Sequence, residues 1–125
     1  MAAIGFGRRS YVVLAWLFVA GTVVQVYFAG LGLLVDPTQL RLHVSLGNIL
    51  HSIVLLQLVL AFTARLPRPI AGLTVLQNVL FFAQYAFIHA HGGGNLFAWR
   101  ALHPVNGLAL LTLGLHLALA AGRHR

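Results

Sequence analysis

The sequence predicts an all-α fold: a four-helix transmembrane bundle running up-down-up-down, built as a tandem repeat of two helical hairpins. Three observations predict it. Of 125 residues, 60% are apolar and only 7% charged, whereas a soluble domain needs about 25% charged residues to cover its surface. Four stretches are continuously apolar over the roughly 20 residues that a helix needs to cross the hydrocarbon core. The second and fourth of them also open with the same L-H-x-x-x-G pattern. With no water in the bilayer to satisfy backbone groups, such stretches must be helices. Their unbroken apolar character excludes the alternating strands of a membrane barrel.

Taken in order, the spans are expected at about Tyr11–Leu34, Leu42–Ala64, Ile70–His89 and Ala101–Ala121, making one integral membrane domain over residues 1–125. Asp36-Pro37 stops the first helix, since a residue before proline avoids the α region. Pro67 and Pro69 flank Arg68 in a tight hairpin connection, and Gly92-Gly93-Gly94-Asn95 reads as a flexible loop. Arg8, Arg9, Arg65, Arg68, Arg123 and Arg125 fall on one side, against Arg41 and Arg100 offset by Asp36 on the other. The positive-inside rule then places both termini in the cytoplasm. The first span is longer than the apolar region of a signal peptide and is expected to stay as a helix. The lysine-free, alanine-, leucine- and arginine-rich composition points to the cytoplasmic (inner) membrane of a bacterium with a GC-rich genome.

The residues available for chemistry are few. There is no cysteine, which removes disulfides, iron–sulfur clusters and thiolate zinc. Asp36 is the one acidic residue, so paired-carboxylate catalysis is excluded too. A pI near 11.8 does not indicate nucleic-acid binding, because the arginines sit in pairs at helix ends rather than on one face. Seven histidines and several amides remain.

Ionisable residues inside a membrane span are costly and so mark function. His43 and His103 stand at matched depth near the outer starts of the second and fourth spans, each followed one turn deeper by a glycine, Gly47 and Gly107. Two imidazoles on diagonal helices, each beside a gap, suit axial ligation of a haem iron between facing helices. The competing reading makes both of them ordinary interfacial histidines. Arg41 and Arg100 are placed to meet haem propionates. A second haem between His51 and His116 is a further option, although His116 points away from the face carrying His103. The alternative is that His51 bonds Gln25, and that His116 faces a partner subunit. His89 and His91 read as interfacial residues of the outer loop, and His124 as part of a basic tail. The repeat is read as pairing Val24-Gln25 with Leu76-Gln77, and Gly21, Gly30 and Gly32 as points of close helix approach.

Through Leu42-His43-Val44-Ser45-Leu46-Gly47 and Leu102-His103-Pro104-Val105-Asn106-Gly107, the chain resembles small four-helix membrane b-type cytochromes, in particular one half of a heme A synthase. It also looks like an uncharacterised bacterial four-span family with an L-H-P-x-N motif, here Leu102 to Asn106. The resemblance implies axial ligation of haem b by His43 and His103. The acidic residue that stands beside the first histidine of the synthase is missing here, so the resemblance implies electron transfer rather than oxidative haem chemistry. The expected donor or acceptor is a quinol or a partner redox subunit. The alternative is a cofactor-free accessory subunit of a larger membrane complex or homo-oligomer.

Overall fold

The structure is a computed structural model that describes residues 2–89 and 96–123. Its elements are α1 (Ala2–Leu34), a 3-10 turn (Pro37–Gln39), α2 (Leu40–Thr63), α3 (Arg68–Ile88), the short α4 (Leu96–Arg100) and α5 (Leu102–Arg123). Four segments are long and apolar enough to cross a membrane: Ala3–Leu34, Pro37–Thr63, Arg68–Ile88 and Ala98–Arg123. The chain is a multi-pass membrane protein. The apolar character runs all round each helix because both lipid and core are apolar. Val13, Leu17, Val59, Phe62, Val79 and Leu108 all face outward.

Two elements differ from the sequence expectation. α1 begins at Ala2 rather than Tyr11, since nothing before Arg8 breaks a helix and Arg8 itself finds partners. α4 adds one short helical segment ahead of α5. The predicted glycine loop, with His91, lies outside the described residues, as does His124.

α1 packs on α2 and α5, and α3 packs on the same two, so α1/α3 and α2/α5 are the diagonals of the bundle. The duplication is visible in burial. Leu50, Val54, Gln57 and Ala61 are buried on α2, and Leu110, Gly114, Leu117 and Ala121 recur in the same register on α5. Tyr11, Ala15, Phe18 and Thr22 on α1 correspond likewise to Ile70, Thr74, Gln77 and Phe81 on α3. This register corrects the pairing of Gln25 with Gln77. Gln77 stands where α1 has Phe18, and Gln25 corresponds to Gln84.

Two apolar clusters fill the bundle. The one nearer the described termini contains Tyr11, Val12, Ala15, Ala61, Leu66, Ile70, Leu117, Ala118 and Ala121. The middle one contains Phe18, Leu50, Val54, Phe81 and Leu110. Close approach depends on glycine at four places among the described residues: a Cβ would lie 2.8 Å from the Phe18 ring on Gly114, 2.6 Å from Leu50 on Gly21, 2.5 Å from Leu40 on Gly32 and 2.9 Å from the Ala64 Cβ on Gly7. Gly30 has open space instead. The α1/α3 diagonal is closed at the terminal end by a 2.6 Å hydrogen bond between the Tyr11 and Thr74 hydroxyls.

α2 ends in a double backbone bond, Arg65 N–H to the Phe62 carbonyl and Leu66 N–H to the Ala61 carbonyl, around Arg65 at φ 50°. Glycine normally takes this left-handed position. Arg8 braces it by donating to the carbonyls of Ala64 (3.3 Å) and Arg65 (3.0 Å). Pro67 and Pro69 then open α3, where the missing N–H groups are not needed. Between α1 and α2, Asp36 accepts from the Thr38 hydroxyl and N–H, bonds that hold its carboxyl below its ordinary pKa.

Two predictions follow from these features. Arg65→Gly removes the left-handed strain and is expected to stabilise the protein by about 1 kcal/mol, read from thermal unfolding in detergent. Gln57 and Gln77 are fully buried, and neither amide bonds a protein group. Each unmade bond costs about 1–3 kcal/mol, so Gln57→Leu and Gln77→Leu are expected to leave the melting temperature unchanged or raised. A marked fall in either variant would show that its amide has a partner.

Candidate functional site

His43 and His103 lie in the first turns of α2 and α5, on the diagonal opposite to the one closed by Tyr11 and Thr74. The structure brings them together: their ring centroids are 6.0 Å apart, with the planes at 60°. Both residues are half-buried. Each ring is held by the preceding helix of its own hairpin. His43 Nδ1 donates to the Gln25 carbonyl at 3.1 Å, and His103 Nδ1 donates to the Gln84 carbonyl at 3.2 Å.

These two bonds fix the chemistry of the rings. A carbonyl oxygen only accepts, so Nδ1 carries the hydrogen in both. In the neutral imidazole the lone pair is then on Nε2, the arrangement of a metal-ligating histidine whose other nitrogen is held by a carbonyl. Two such rings 6.0 Å apart offer, from two different helices, Nε2 lone pairs that a metal could take. Among the described residues no group of three or more His, Cys, Asp or Glu side chains is placed to hold a metal.

The glycines play a role that sequence alone does not reveal. A Cβ on Gly47 would lie 3.1 Å from Gln25 Nε2, and one on Gly107 would lie 3.6 Å from Gln84 Nε2. The clearance beside Gly47 therefore accommodates the amide of the glutamine whose carbonyl holds His43, while at Gly107 the Gln84 amide stands at ordinary contact distance. Gln25 and Gln84 are the site residues missed as a pair. Their signal was spacing, since Gln25 precedes His43 by 18 residues and Gln84 precedes His103 by 19. Asn106 adds two bonds in the second hairpin, to the Leu80 carbonyl at 2.8 Å and to Gln84 Oε1 at 2.6 Å. Arg41 is exposed and Arg100 half-buried, two and three residues before the histidines.

Among the described residues, the other histidines stay apart from this pair. The His51 ring packs among Phe81, Phe82 and Tyr85 at centroid distances of 5.4, 5.1 and 5.4 Å, and its Nε2 has no hydrogen-bond partner. His51 makes no bond to Gln25. His116 is exposed on α5, so the two residues weighed for a second haem do not meet. His89 stacks on Tyr85 and bonds the Tyr85 carbonyl at 2.9 Å.

A family model described as "Family of unknown function (DUF6220)" matches residues 25–91. The chain belongs to this family. The DUF6220 match begins at Gln25 and takes in His43, Gly47 and Gln84, while His103 and Asn106 lie beyond it. No curated protein and no solved structure matches the chain.

Asn106 yields a direct prediction. Asn106→Leu removes two interhelical bonds worth roughly 0.6 kcal/mol each, so a destabilisation of about 1 kcal/mol is expected in detergent unfolding.

Proposed function

We propose that this member of the DUF6220 family is a haem-b-binding membrane protein that passes electrons within a bacterial cytoplasmic membrane, in which His43 and His103 would hold the haem iron. One observation carries the reading: two half-buried imidazoles stand 6.0 Å apart with both Nδ1 atoms committed to backbone carbonyls. A porphyrin supplies four equatorial nitrogens and asks only two ligands of the protein, a demand that a histidine pair without carboxylates or thiols can meet. The likeness to one half of a heme A synthase supports the same assignment.

When bound, haem supplies one-electron chemistry. The chain's own residues orient and tune it. The carbonyls of Gln25 and Gln84 hold the rings in the ligating tautomer and raise their basicity. Arg41 and Arg100 supply cations for the propionates at the helix entrances. The arginine distribution puts both termini in the cytoplasm, so the histidine end lies toward the outer face. The exchange partner is a quinol or a redox subunit.

The test is spectroscopic. Protein purified in mild detergent is expected to be red, with a Soret band that sharpens and shifts on adding dithionite. His43→Ala and His103→Ala are each expected to alter or abolish it. An unchanged spectrum in both variants would overturn the ligand assignment. The exposed His116, a polar side chain on the outer surface of α5, favours a second reading, a cofactor-free subunit seated against a membrane partner. Colourless protein that takes up no added haem would support it.

A further inference from the structure

The two histidine sites are related by the duplication, but they are not equally supported. Around His103, Asn106 is buried and donates to both the Leu80 carbonyl and Gln84 Oε1. Together with the bond from His103 to the Gln84 backbone, three bonds tie the entrance of α5 to α3. In the register that aligns His43 with His103 and Gly47 with Gly107, the first hairpin has Val44 in place of Pro104 and Leu46 in place of Asn106. Leu46 packs against the middle apolar cluster and offers no donor. Gln25 Oε1, the counterpart of the acceptor that Asn106 satisfies, is buried without a hydrogen-bond partner. His43 therefore keeps only its single bond to the Gln25 carbonyl.

From this asymmetry we infer that His103 is the fixed ligand and His43 the exchangeable one, so that a small neutral diatomic molecule enters on the α2 side of the iron. The inference rests on the haem reading above and deepens it. Partners that hold a metal ligand set how firmly that ligand is kept, and their loss commonly costs about 10- to 100-fold in affinity. Each histidine has one bond to a glutamine carbonyl, but only Gln84 is in turn anchored, by Asn106. Gln25, beside Leu46, lacks that anchor.

Carbon monoxide is the probe, added to dithionite-reduced protein in detergent, with haem content and helicity measured alongside. His103→Ala is expected to lower haem retention by about 10- to 100-fold. His43→Ala is expected to keep its haem and bind carbon monoxide completely. Leu46→Asn supplies the donor that Gln25 Oε1 lacks, and should slow carbon monoxide entry about 10-fold while leaving haem content unchanged. Equal haem loss in the two alanine variants would overturn the inference. So would carbon monoxide entry that Leu46→Asn leaves unaltered at wild-type helicity. Wild-type protein with no Soret band after haemin addition would overturn the haem reading and this inference together, which distinguishes the two failures.

Discussion

Inside a bilayer, a hydrogen-bonding group that meets nothing has no water to fall back on, and this one constraint organises the molecule. It makes the four spans helical and their exteriors apolar, and it favours acceptors within the protein for buried donors. His43 and His103 meet it in the same way, by reaching back to a carbonyl on the preceding helix. Those bonds do two things at once. They join the helices of each hairpin, and they decide which nitrogen keeps its lone pair. Packing and chemistry here share the same two hydrogen bonds.

Much of this was legible in the residues. The spans followed from composition and length, and the turn after α2 from its prolines. The pairing of His43 with His103 followed from two like words, two and three residues after an arginine. All of these are signals of depth, and depth is what the bilayer writes most plainly into a sequence. What lay across a helix from each histidine was harder. Gln77 was taken as the counterpart of Gln25 because both are amides in apolar runs. The true correspondence puts Gln77 opposite Phe18 and Gln25 opposite Gln84. After duplication a buried position keeps its place but not its polarity, so matching by residue type misleads where matching by burial succeeds. The early start of α1 was hidden for a related reason: Arg8 and Arg9 looked like the end of a span, whereas the Arg8 guanidinium caps the turn between α2 and α3.

The buried amides differ in what they accomplish. Asn78 bonds the Val54 carbonyl at 3.3 Å and the Thr74 carbonyl at 2.9 Å, joining α3 to α2. Asn106 does the same for α5 and α3. Such bonds carry directional information that apolar packing lacks, because lipid tails are as apolar as leucine and provide no drive for one helix to prefer another. They are what selects this arrangement of helices from others of equal apolar contact.

The Tyr11–Thr74 bond and the histidine pair occupy opposite ends and opposite diagonals. A bundle gathered along one diagonal at its base and along the other at its mouth takes the form of a folded milk carton, its two seams at right angles. In such a shape neither pair of opposite helices can slide apart as a unit, because each is stitched at one end only by its own seam and enclosed at the other by its neighbours. The base is thus pinned across α1 and α3 and the mouth across α2 and α5, whereas a bundle stitched on one diagonal throughout would leave the other free to splay.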